Sequence, residues 1–164
     1  MDSVNPANRM FVSYIDKSRE YYLAQGYGNP YKWATNADSP FTPLPKPLSE
    51  SRLGLVTTAE LERGAPEFAP GSTYSAPLEP PPARLFTEHR FWDKDATHTN
   101  DLDSFFPAHR LMEYRDGGRI GSLSKRFYGV PTEYSQRRTN EMDAPEILRL
   151  CREDGLDVAM LVAL

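Results

Sequence analysis

The sequence predicts an α/β protein: a mostly parallel sheet with flanking helices, incomplete as given and preceded by a proline-rich wrapping segment. Residues 52–59, RLGLVTTA, read as a buried strand that opens into a threonine-bearing turn, a common start for an α/β unit. Residues 143–164 read as a helix, a glycine stop and the continuous apolar strand DVAMLVAL, the second half of a βαβ unit. Of the 15 prolines, 12 fall in residues 1–83, so the first half is extended or looped.

The 164 residues suffice for one domain of this kind, divided into an amino-terminal helix and proline-rich segment (1–50) and the incomplete α/β domain (51–164). Taken in order, residues 7–25 carry Met10, Phe11, Tyr14, Ile15 and Tyr22 at helical spacing, with Gly26 as a stop; such a stripe is core or interface. The clusters at 41–48 and 77–82 suit neither helix nor central strand. Interleaved aromatic residues argue against low-complexity disorder. After the strand at 52–59, residues 83–90 predict a second one. Residues 107–116 predict a helix, capped by Asp103 or Ser104, with Pro107 in its first turn and Gly117–Gly118 at its end. In the helix at 143–154, Asp143 and Glu146 have capping-box spacing, and Ile147, Leu150 and Cys151 share a face. The strand after Gly155 is expected to be covered on both faces.

Charge and composition exclude several functions. Acidic residues outnumber basic ones 23 to 19, a net charge of -4, which disfavours nucleic acid or anionic membrane as partners. One cysteine rules out an intrachain disulfide and a multi-thiolate metal site. The amino terminus lacks a secretory pattern, and no apolar run approaches the roughly 18 residues of a membrane span. A soluble, cytoplasmic protein is expected. No glycine-rich phosphate cradle or GxSxG elbow is present.

Ligands of open α/β sheets gather at the carboxyl ends of strands, which makes Thr57 and Thr58 binding candidates; alternatively their hydroxyls only cap the following turn. The densest polar stretch is 88–103, with two of the three histidines and four aspartates. His89, Asp93, His98 and Asp101 could ligate a metal, although their spacing fits no established motif. His89 and Asp93 could instead act as an acid–base or anchoring pair, or the stretch could be a solvated acidic loop. Cys151 reads as an inert buried thiol, His109 as exposed, and Arg137–Arg138 as a surface pair.

Several segments, in order, resemble one family. These are RLGLVTTA (52–59), HRFWD (89–93), DLDSFFP (101–107), RLMEYRDGGRIGSLSKRFYG (110–129) and DGLDVAMLVAL (154–164). Together they resemble the selenoprotein B family of glycine, sarcosine, betaine and D-proline reductases over about residues 50–164, with Asp103 where that family usually has asparagine. The resemblance implies reductive cleavage of a C–N bond in a small amino-acid-like substrate. A selenocysteine or cysteine placed just after the last strand attacks, and a partner reductase subunit or thiol reductant restores it. A helix field at such a position holds the chalcogen as its anion. His89 would donate a proton or bind a carboxylate, Asp93 would orient it, and Thr57, Thr58, Asp101 and Asp103 would line the pocket. No cofactor and no metal is implied, and an oligomer is expected.

The nucleophile is then expected beyond Leu164, where a selenocysteine codon read as stop, or a fragment boundary, would fall. The alternatives are a non-catalytic structural subunit of such a complex and, least favoured, a metal-dependent hydrolase using the His/Asp cluster. An apolar sheet edge left open at this end predicts self-association.

Overall fold

The computed structural model describes residues 14–28, 34–35, 37–38, 42–62, 65, 71–86, 98–132 and 135–162. The chain forms two compact units, Met1–Pro40 and Phe41–Leu164. In the first, helix α1 spans Tyr14–Ala24. Gly26, at φ 87°, closes it through paired bonds from Gly26 N to Leu23 O and from Tyr27 N to Tyr22 O. This left-handed glycine cap satisfies the last carbonyls of the helix. Tyr22 stands exposed with Tyr21 and Leu23; Met10 and Phe11 lie outside the described residues.

The second unit is built on a mixed, mostly parallel five-stranded sheet with flanking helices. The central strand, β1 (Arg52–Thr57), is buried along all but its first residue. On one side it pairs in parallel with β3 (Ser122–Leu123) at its amino end and with β4 (Arg126–Gly129) at its carboxyl end. On the other side it pairs in parallel with β5 (Val158–Val162), from Leu53 opposite Val158 to Thr57 opposite Val162. Strand β2 (Tyr74–Pro77) adds antiparallel to the outer side of β4. Proline 77 is tolerated there because it ends the strand at the sheet margin.

Helix α2 (Ala108–Asp116) follows β2 in the chain and leads into β3 and β4, and α4 (Ala144–Glu153) lies between β4 and β5. The helices cover opposite faces. Ala108 and Leu111 pack with Leu53, Leu55, Leu123 and Phe127, whereas Leu150, Cys151 and Ile147 pack with Val56 and Tyr128. The alternation along β1 produces this division, since successive side chains point to opposite faces. With β1 between β4 and β5, the order reverses direction at β1, the doubly wound arrangement in which ligands bind between the carboxyl ends of the switching strands.

Three expectations need correction. Of the predicted strand at 83–90, the described residues 83–86 contribute a single bridge, Phe86 to Glu60, and 87–90 lie outside the described residues; a strand forms earlier instead, at β2, because β4 offers it an edge. The helix predicted to start at Asp143 extends back through a π-helical turn (Thr139–Asp143) to α3 (Gln136–Arg138), which Ser135 caps by accepting from Arg138 N at 3.2 Å. Asp143 is therefore already helical (φ -70°, ψ -48°), makes no capping bond and is buried, because a capping side chain needs an extended backbone. Glu146 pairs with Arg149 instead. Finally, β5 is not covered on both faces: Ala159, Met160 and Leu161 are exposed among the described residues. Val158 and Val162 of β5 do pack on the core, so the strand is covered in part.

Residues 46–51 belong to this second unit. Lys46 Nζ lies 2.8 Å from Asp157 Oδ2, the same oxygen that accepts Arg52 N at 2.8 Å, and Gly121 N donates to Leu48 O. Among the described residues, no helix is long and apolar enough to cross a membrane.

Candidate functional site

The carboxyl ends of β1 and β5 meet at the pair Thr57–Val162, and β4 continues alongside through Val130 N, which donates to Thr57 O at 2.9 Å. The backbone here is held from behind. Gly129 lies against the Tyr74 ring so closely that a Cβ would stand 1.8 Å from its Cε1. The Tyr74 hydroxyl, passing this point, donates to Ala59 O at 2.8 Å. Thr57 is fully buried, and its Oγ1 accepts Ala59 N at 3.1 Å, which is the turn-capping arrangement. Thr58 is half-buried at the strand end. Thr57 thus sets the course of the chain leaving β1, and Thr58 is the hydroxyl nearer solvent.

A second set of groups gathers at the first turn of helix α2, whose last turn leads through Gly121 to Ser122, in register with Arg52. There Asp103 Oδ1 accepts His109 N at 3.0 Å, the predicted capping role, while Oδ2 lies 2.8 Å from His109 Nδ1. Asp101 Oδ1 accepts Asp103 N at 3.1 Å. Asp101, Asp103 and His109 form one hydrogen-bonded chain anchored by Phe106, which is fully buried against Phe127 at a ring separation of 4.8 Å. Sequence reasoning named both aspartates but passed over His109. The available signal was an aspartate six residues before a histidine across a proline-led helix start.

His89 and Asp93 lie outside the described residues. His98 Nδ1 accepts Asn100 N at 3.4 Å, and among the described residues no group of three or more His, Cys, Asp or Glu side chains is placed to hold a metal ion. Comparison of the chain with protein-family models, curated proteins and solved structures yields no match.

The strongest electrostatic network is on the α4 face. Tyr128, fully buried, donates to Asp154 Oδ2 and lies 3.0 Å from Ser124 Oγ, and Arg126 Nε donates to the same Asp154 oxygen at 2.7 Å. Burial first, then the Asp154 bond, pushes the Tyr128 hydroxyl up to about 12. Burial works to raise the Asp154 carboxyl, but the bonds from Arg126 and Tyr128 outweigh it and hold it below the usual carboxylate range. Burial also pushes the Cys151 thiol up, with Asp154 adding to the effect. A raised, covered thiol is a poor nucleophile. This network ties α4 to the sheet. Arg137 pairs with Glu141 at 3.4 Å as a surface ion pair, whereas Arg138 donates to Gly71 O and lies 3.9 Å from the buried Asp143.

Proposed function

We propose that this chain is the amino-terminal portion of a selenocysteine- or cysteine-dependent reductase of the glycine, sarcosine, betaine and D-proline reductase type. It reductively cleaves a C–N bond of a small amino-acid-like substrate. The observation that carries the reading is the register of β1 with β5. Strand β5 runs in parallel to the same sheet end as Thr57 and Thr58, which supports the expectation from the ordered motif series of a selenolate or thiolate following that strand. The one cysteine of the sequence, Cys151, is a covered thiol on α4. The electrons come from a partner reductase subunit or a dithiol.

The test is to read the gene in frame past Leu164 and to assay its full-length product for amine release with a dithiol. A Pro-x-x-Cys-His-like or selenocysteine continuation with turnover is the expected result. A non-coding tail, or a continuation lacking any thiol or selenol, overturns the proposal. The exposure of Leu161, at 78 %, also favours a second reading: a non-catalytic subunit lending sheet and pocket wall to a partner that holds the nucleophile. A separate neighbouring gene supplying the thiol or selenol would select it.

A further inference from the structure

One hydrogen bond defines the outer edge of β5. Asp157 N donates to Arg52 O at 3.0 Å, so Ala159 and Leu161, at the alternate positions that follow, also turn their peptide groups toward β1. The N–H and C=O groups of Val158, Met160 and Val162 point the other way, where no strand lies among the described residues. Side chains alternate as well. By register, Val158 and Met160 share the face of Leu53 and Leu55, and Leu161 shares the face of Val56. Nothing on this strand opposes pairing: it carries no charge and no proline, and the acid that precedes it, Asp157, is already met by Lys46 Nζ at 2.8 Å. A charged partner strand finds no countercharge along this edge, whereas an uncharged apolar strand matches it.

We propose that the 164-residue chain forms a two-fold dimer through its β5 edges, joining two sheets into one; the inference is independent of the reductive reading. About an axis at Met160, antiparallel pairing sets Met160 opposite Met160 of the second copy, Val158 opposite Val162, and Ala159 opposite Leu161. Each outward-pointing residue then exchanges its N–H and C=O with an outward-pointing residue of the other copy. Leu161, the most exposed large apolar residue described, falls against Ala159, the smallest side chain of the strand. The antiparallel sense also keeps the two Asp157 carboxylates at opposite ends of the seam. Growth stops at two copies because the other margin of the sheet is closed. Leu78 N donates to Lys125 O, which turns Ser75 and Pro77 away from β4, and Pro77 has no N–H to offer a further strand.

Sedimentation equilibrium of the 164-residue chain is expected to fit a monomer–dimer equilibrium with no larger species. Met160→Pro deletes an N–H that faces away from β1, so it spares the fold and weakens the dimer by about 100-fold. The covered thiol of Cys151 reports on the fold of that variant, staying silent toward Ellman's reagent. Disulfide trapping in a Cys151→Ala background reads the register. Ala159→Cys mixed with Leu161→Cys gives a crosslinked pair, because directly opposite residues outside the hydrogen-bonded pairs stand closest, and neither variant crosslinks alone. The trapping needs no change at Met160, so it decides the register whatever Met160→Pro does to the fold. A chain that stays monomeric at all concentrations, one that grows past the dimer, or a folded Met160→Pro variant that dimerises like the parent overturns the proposal. So does a crosslink that either single variant forms as readily as the mixture, or a mixture that forms none.

Discussion

The hydroxyl of Tyr128 donates to the carboxylate of Asp154, joining a fully buried position of β4 to the residue that caps α4. The same carboxylate takes Arg126, and the same hydroxyl touches Ser124 at the break between β3 and β4. One buried network thus fixes the direction in which the chain leaves α4 and enters β5.

Removing that hydroxyl tests the network. Tyr128→Phe leaves Ser124 Oγ without its buried partner and is expected to cost about 1–2 kcal/mol by urea denaturation. The pH dependence has two limbs. Tyr128, raised to about 12 from about 10 when unfolded, stabilises the fold fully below about pH 10 and loses that contribution as pH climbs to about 12. Asp154, lowered in the fold, contributes above its unfolded value of about 3.9 and loses its contribution as pH falls through the folded value. Tyr128→Phe should flatten the alkaline limb relative to the unaltered chain.

Two glycines should rank in a definite order. A Cβ at Gly129 collides with the Tyr74 ring, which its hydroxyl bond to Ala59 O holds in place. A Cβ at Gly54 meets the Cδ1 end of Leu156 at 2.2 Å, and that side chain can swing aside. Thermal denaturation of Gly129→Ala should show a loss of about 3 kcal/mol, and Gly54→Ala a loss of about 1 kcal/mol. Equal losses would show that Tyr74 yields as readily as Leu156.

Cys151 should be silent toward thiol reagents in the folded chain. It is 9 % exposed and its thiol is raised by burial, so modification by Ellman's reagent should track unfolding. Rapid labelling without denaturant would show that α4 lifts from the sheet.

The β5 strand predicts association. Met160 and Leu161 are exposed on a strand paired with β1 on one side and with no strand on the other among the described residues. Sedimentation velocity of the 164-residue chain should reveal concentration-dependent growth, reduced by Leu161→Lys, since a charge on an edge strand opposes pairing. A monomer at all concentrations would contradict it.

Much of the second unit was legible because its signals are local. The run from Leu53 to Val56 is apolar, Pro107 and Gly118 bracket α2, and Gly155 separates α4 from β5. What escaped depends on partners distant in the chain. Tyr74 to Pro77 becomes a strand because β4 lies beside it, and Ser122–Leu123 and Arg126–Gly129 share one side of β1 although two residues interrupt them. The π turn before Ala144 was hidden because Asp143 and Glu146 imitate a cap; burial of Asp143 within a continuing helix overrode that local preference. At the site, Asp101 and Asp103 were visible as a dense acidic stretch, but the His109 contact requires the chain to turn back on itself at Phe106.

The sequence by itself determined the class of fold, both ends of α2, the carboxyl end of α4 and the apolar strands β1 and β5, since turn chemistry and hydrophobic period act over a few residues. Tertiary structure alone decided that β1 lies between β4 and β5, that α2 and α4 take opposite faces, and that Ala159, Met160 and Leu161 of β5 stay exposed. It also brought Thr57 beside Val162 and set His109 on Asp103. Strand order and side-chain pairing are settled by which long-range contacts bury the most apolar surface and satisfy the most backbone, and no single stretch of chain carries that information.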